Sequence, residues 1–304
     1  PIDFFIKKAE EIRNNFDFYE NNTQVTAAFD IVTRIGEKYS TKNIKLKDFK
    51  PIFNLSTHYN RGEDFLKWHE QFTYTSKIKK KGISIFHGPA GTGKTHYIKK
   101  LSYDLRTTHK FILMPAQMVI ELQSPGVFQN FIMDNIIPII DEGWKVVLVL
   151  EDAEEVLKCR KKFNNPYIST ILNVSDGIMG ELYKFQIICT MNSSIEDIDA
   201  ALLRPNRLIA CKMFDYLNEK EALELYKDIS GDSLDKIDTS LLIDDSMLEN
   251  ESYKKDAKRI KDGKFTVGEI YKLMETCDPK ILNGYIDGNK DSKSTIGFNL
   301  NNNS

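Results

Sequence analysis

The octapeptide Gly88-Pro89-Ala90-Gly91-Thr92-Gly93-Lys94-Thr95 constrains this chain more than any other feature. It satisfies G-x-x-x-x-G-K-[ST] at every position. It stands between an apolar run, Ile83-Ser84-Ile85-Phe86, and a helix-like start, His96-Tyr97-Ile98-Lys99-Lys100-Leu101. Strand, glycine-rich loop and helix in that order make a phosphate cradle. The glycines let the backbone curl until its N–H groups face anionic oxygens, and the helix N-terminus adds its dipole. In such a cradle Lys94 reaches the β- and γ-phosphates of a nucleotide, and Thr95 holds Mg2+ through its hydroxyl.

The strand before the loop is one of five short apolar runs separated by helical stretches: Ile83–Phe86, Phe111–Met114, Val146–Leu150, Gln186–Thr190 and Ala210–Phe214. Apolar runs that alternate with helices predict an α/β fold, a parallel five-stranded sheet with helices on both faces. Ligands of such sheets bind at the carboxyl ends of the strands, where the polar runs described below fall. A helix is predicted from about Arg61 to Phe72, with Phe65, Trp68 and Phe72 on one side, and the Lys77 to Lys81 run reads as a solvated connector. After Asp215 the strands are expected to stop. Asn218–Ile229 and Thr266–Met274 read as capped helices, Thr266 with Glu269 as its capping-box partner.

This organises the chain into an N-terminal helical module or arm at 1–55, a nucleotide-binding α/β domain at 56–215, a small helical lid domain at 216–285 and a disordered tail at 286–304. Within the arm, Phe4 to Ile12 has amphipathic helical spacing. Asn21-Asn22-Thr23 reads as a break before a second helix through Ala27, Phe29 and Ile31. A net charge of −2 gives no global basic field, which disfavours nonspecific nucleic-acid binding. Cys159, Cys189, Cys211 and Cys277 lie too far apart for metal or redox pairs and read as reduced, mostly buried thiols, as in a cytoplasmic protein. No run approaches a membrane span, and no signal peptide is visible from Pro1 onward.

The third predicted strand ends in Glu151-Asp152. Phosphoryl transfer to water needs a metal-side carboxylate and a group that orients the attacking water, and adjacent acids at a strand end supply both. The fourth ends in Asn192, an amide able to reach between the γ-phosphate and the water-orienting acid. The stretch Asp199-Ala200-Ala201-Leu202-Leu203-Arg204-Pro205-Asn206-Arg207 then brings two arginines able to neutralise charge that builds on a neighbour's γ-phosphate.

Phosphate loop, acidic strand, Asn-ended strand and A-L-L-R-P-x-R, in this order from about Arg61 to Met274, resemble the AAA family of ring-forming ATPases. Leu150-Glu151-Asp152, Leu172-Asn173-Val174-Ser175-Asp176-Gly177 and the Arg204/Arg207 run look most like the branch of the mitochondrial Rieske-protein translocase and related bacterial and phage ATPases. The resemblance implies Mg2+-dependent ATP hydrolysis by a homo-oligomeric ring of six or seven subunits, coupled to remodelling or translocation of a protein partner. It implies that Gly88, Pro89, Ala90, Gly91, Thr92, Gly93, Lys94, Thr95 and His96 bind ATP and that Thr95, Glu151 and Asp152 serve the metal. Lys94, Glu151, Asp152 and Asn192 then act in catalysis, with Arg204 and Arg207 acting across the subunit interface.

Three departures mark this chain. Most of the family reads Asp then Glu where this chain reads Glu151 then Asp152, so the acid placed to orient water is one methylene shorter and the pair can share or swap roles. Asn206 replaces the usual Gly between the arginines. Leu122-Gln123-Ser124-Pro125-Gly126 carries no aromatic–hydrophobic–Gly paddle, Phe128 falling two residues past the Gly, which counts against simple peptide threading. Near Gly268, where a second sensor Arg often stands, there is none. Two other readings use the same fold: a nucleic-acid motor or loader, for which Lys77–Lys81 and Arg160-Lys161-Lys162 are the visible basic runs, and a nonhydrolysing nucleotide-dependent scaffold.

Overall fold

The computed structural model describes residues 28–36, 38–46, 52–115, 118, 127, 130–159, 168–169, 171–172, 183–243 and 251–274. The helix expected at Phe4–Ile12, the Asn21–Thr23 break, Ala27, the 122–126 loop with Phe128, Arg160–Lys162, 173–177, Cys277 and the tail lie outside these residues. The chain divides into two compact units, Pro1–Tyr216 and Leu217–Ser304.

The first unit is built on a seven-stranded sheet: β1 Ala28–Ile35, β2 Lys38–Lys45, β3 Gly82–His87, β4 His109–Pro115, β5 Lys145–Glu151, β6 Gln186–Met191 and β7 Leu208–Met213, in the order β2-β1-β4-β5-β6-β3-β7. All neighbours run parallel except the β1/β2 hairpin. Strands β3, β5 and β6 are buried along almost their whole length, which is why they read as mostly apolar runs. Alternate residues serve opposite faces. Val146, Leu148 and Leu150 enter one core cluster, while Val147 and Val149 enter another.

The helices described in this unit include α1 Leu55–His58, α2 Gly62–Ile78, α3 Lys94–Asp104, α4 Ile137–Asp141 and α5 Glu154–Leu157, α4 continuing a π-turn at Ile132–Ile136. Phe65 and Phe72 of α2 are buried, and Trp68 stacks on Phe72 at 5.1 Å. Tyr97, Ile98 and Leu101 of α3 pack into the same cluster, so the helix that follows the phosphate loop is anchored in the core.

The five expected strands are present, and a hairpin adds two more at one edge. Phe29 and Ile31 therefore lie on a strand, not on the expected helix. β1 pairs in parallel with β4 (Asp30↔Ile112, Ile31↔Leu113) and along its whole length with β2. Gly36, at φ +63°, supports the tight turn. Sheet pairing with a distant strand outweighs a weak local helical period. Cys159, Cys189 and Cys211 are free thiols. Cys189 is buried, but Cys211 is exposed because β7 is an edge strand.

The second unit contains α6 Glu219–Ser230, α7 Glu251–Lys261 and α8 Val267–Lys272. Both predicted caps form as boxes: Asn218 with Glu221 on α6, and Thr266 with Glu269 on α8. Contrary to the expectation of no strands past Asp215, β8 Leu217–Asn218 pairs antiparallel with β9 Lys264–Phe265. Leu217, Ala222, Leu225, Ile260, Phe265 and Ile270 form its core. Arg259 joins α7 to α8 through two bonds to the Glu269 carboxylate, at 2.5 and 3.0 Å.

Candidate functional site

β3 delivers the chain to Gly88, which has φ +137°. A Cβ there would stand 1.9 Å from the Phe214 carbonyl oxygen, so only glycine passes. The Gly88 N–H donates to the Met191 carbonyl at 3.2 Å, fastening the loop to the end of β6. Gly91 (φ +77°) and Gly93 (φ +88°) supply the left-handed turns that wind the loop. Gly93 rests against the ring of Tyr59, whose hydroxyl donates to the Gly93 carbonyl at 3.3 Å. Thr92 closes the loop from inside through its hydroxyl to the Pro89 carbonyl, 2.8 Å.

Lys94 is 6 % exposed and donates to the Gly88 and Pro89 carbonyls at 2.7 and 2.8 Å. Its ammonium therefore lies inside the curl of the loop. Burial lowers its pKa below the ordinary lysine value, and the carboxylates of Asp152 and Glu154 oppose that shift.

The acids and Asn192 meet the loop because β6 lies between β5 and β3. Register aligns Leu150 with Cys189 and Met191 with His87, so all three carboxyl ends stop at one level. Thr95 Oγ1 donates to Glu151 Oε1 at 2.6 Å. Asn192 Nδ2 donates to Asp152 Oδ1 at 3.1 Å. The two adjacent acids thus face different partners, Glu151 the loop hydroxyl and Asp152 the amide. Asp152 manages this through a left-handed backbone, φ +49°, with its N–H donated to Thr190 Oγ1 at 3.1 Å.

The Thr95 and Glu151 oxygens suit a hard cation such as Mg2+, with Thr95 at an exposed position. Among the described residues no group of three or more His, Cys, Asp or Glu could hold a metal ion.

Arg204 and Arg207 stand elsewhere. Arg204 is exposed, and Arg207 braces its own turn by donating from Nη1 to the Ala201 carbonyl at 2.9 Å. The Arg207 carbonyl accepts from Ile83 N at 2.7 Å, at the start of β3. The loop begins five residues later, about 17 Å along the strand at ~3.3 Å per residue, farther than an arginine side chain spans. These arginines lie at the opposite end of β3 from the loop of the same chain. His96 is half-buried beside Phe53 (4.6 Å) and His58 (5.9 Å), and burial, with His58 and Lys99 adding, pulls its pKa down to about 4.

Tyr59, Thr190 and Glu154 are contributors that motif reading does not single out. Glu154 Oε1 accepts the Asn192 backbone N–H. Its signal in the sequence is faint, a third acid three residues after Glu151.

Residues 84–215 match the family model described as ATPase family associated with various cellular activities (AAA). The match supports an AAA-family ATPase and with it nucleotide-dependent ATPase activity. Among curated proteins none matches the chain. No helix among the described residues is long and apolar enough to cross a membrane.

Proposed function

We propose that the chain is a Mg2+-dependent ATPase that works as a ring of identical subunits and uses hydrolysis to remodel or move a protein partner. The observation that carries this reading is the division along β3. Phosphate-binding, metal-side and water-orienting groups gather at one end, and two arginines stand at the other. A neighbouring subunit in a ring can bring the second set to the first.

In this reading the γ-phosphate meets Lys94 and the loop N–H groups, with Thr95 and Glu151 as the protein's ligands to Mg2+. When bound, the ion neutralises phosphate charge. Asp152 accepts a hydrogen bond from the attacking water and later its proton. Asn192 holds the Asp152 carboxylate in place. The water oxygen bonds to the γ-phosphorus as the bond to the bridging oxygen breaks, giving ADP and phosphate. Arg207 of the next subunit, with Arg204 beside it, offsets the charge of that transition state. Loss of the γ-phosphate then loosens the interface that it held together. The order Glu151-Asp152 supports kinship with the Rieske-translocase branch.

The nucleic-acid reading has less behind it. The Lys77–Lys81 run belongs partly to the end of α2, where the Lys79 carbonyl accepts from Gln186 Nε2 at 2.9 Å. Phosphate release per subunit, measured against protein concentration with Mg2+ and with chelator, tests the proposal. The expected result is a rate that rises steeply with concentration and vanishes with chelator. A protein that binds ATP yet releases no phosphate at any concentration would refute it.

A further inference from the structure

Residues 152–154 are stitched to residues 190–192 by four hydrogen bonds. Asp152 N–H donates to Thr190 Oγ1 at 3.1 Å and Ala153 N–H to the Thr190 carbonyl at 2.9 Å. In return, Asn192 gives its side-chain amide to Asp152 Oδ1 at 3.1 Å and its backbone N–H to Glu154 Oε1. Asn192 is therefore gripped at two points by two carboxylates that lie two residues apart. One of them, Asp152, is a short acid on a left-handed residue.

The grip lies next to the phosphate loop, because Met191 accepts the Gly88 N–H. With only one methylene, Asp152 has little freedom to correct its aim, so its reach depends on where the Asn192 amide sits. That amide turns about a backbone whose one donor is committed to Glu154. We infer that Glu154 is a positioning residue for hydrolysis: by accepting the Asn192 N–H it fixes the amide that aims Asp152. A charged acceptor suits this role, because it makes a stronger bond than a neutral one. Lys158, which follows α5, pairs with Glu155. The charges of both carboxylates, Asp152 and Glu154, also act on the Lys94 ammonium, raising its pKa against the effect of burial.

The inference rests on the ATPase reading above. Its test compares Glu154→Ala and Glu154→Gln in the full chain and in an Asn192→Ala background. Turnover is read as phosphate release against ATP, and ATP and ADP affinities are read by equilibrium titration. Glu154→Ala is expected to lower kcat about tenfold or more, with KM and both affinities within about twofold. Glu154→Gln keeps an oxygen acceptor and should restore most of the loss. In the Asn192→Ala background Glu154→Ala should cost little more, since its effect passes through the Asn192 amide. Unchanged kcat in an active parent would overturn the inference alone. So would an undiminished cost in the Asn192→Ala background, because Glu154 would then act on its own. A fall in affinity equal to the fall in kcat would also overturn it, marking a collapsed loop. A parent that binds ATP without hydrolysing it would bring down the ATPase reading, and this inference with it.

Discussion

The two ends of β3 differ in how their side chains are partnered. At its carboxyl end, within a few residues, Lys94 fills the loop, Thr95 meets Glu151, and Asn192 joins Asp152 to Glu154. At its amino end, Arg204 is exposed and Arg207 is braced by a carbonyl of its own turn. The first end is organised around a place for an anion, and its parts hold each other. The second presents two arginines, one braced by a backbone carbonyl, at the start of the strand and away from the loop of the same chain. Such asymmetry is what an active site divided between copies would leave on each copy.

Arginine substitution is the sharpest way to break this comparison. Arg207→Ala removes nothing from the loop end, so ATP affinity should hold, while kcat falls by about a thousandfold or more in steady-state phosphate release. If affinity fell with it, the two ends would not be separate. Next in size, Lys94→Ala acts on the loop end itself and should lower turnover on the order of 100- to 1000-fold and weaken binding in an equilibrium titration. The smallest effect belongs outside the first unit. Asn218→Ala removes the α6 cap and should cost about 1 kcal/mol in denaturant unfolding, with little change in turnover per folded subunit.

Motif reading found the parts whose signal is local. The loop is legible because left-handed turns at Gly91 and Gly93 call for glycine, and Gly88 is pressed against Phe214. β3, β5 and β6 are legible because burial on both faces leaves them mostly apolar. The caps at Asn218 and Thr266 are legible because a capping box spans four residues. What escaped depends on pairing across long stretches of chain. Phe29 and Ile31 sit on a strand because Ile112 and Leu113 lie beside β1. Glu154 matters because Asn192, far along the chain, returns to it, and Tyr59 matters because Gly93 closes over its ring. Spacing within a motif carries no record of such meetings.

The same distinction bears on the two acids at 151 and 152. Sequence left open which acid faces the metal and which faces water. The bonds pair Glu151 with Thr95 and Asp152 with Asn192. Either carboxylate can accept a hydroxyl or an amide, so composition alone does not decide between them. The strand register sets these two pairings, and under the proposed function they put Glu151 on the metal side and Asp152 on the water side.

The measurement that tests the divided site most directly is to mix Lys94→Ala and Arg207→Ala proteins in equal amounts and follow phosphate release. Each alone should be nearly inactive. In a random mixed ring about a quarter of the interfaces join an intact loop to an intact arginine, so activity should recover toward that fraction of the parent. A co-assembled mixture no more active than its two components would contradict the account.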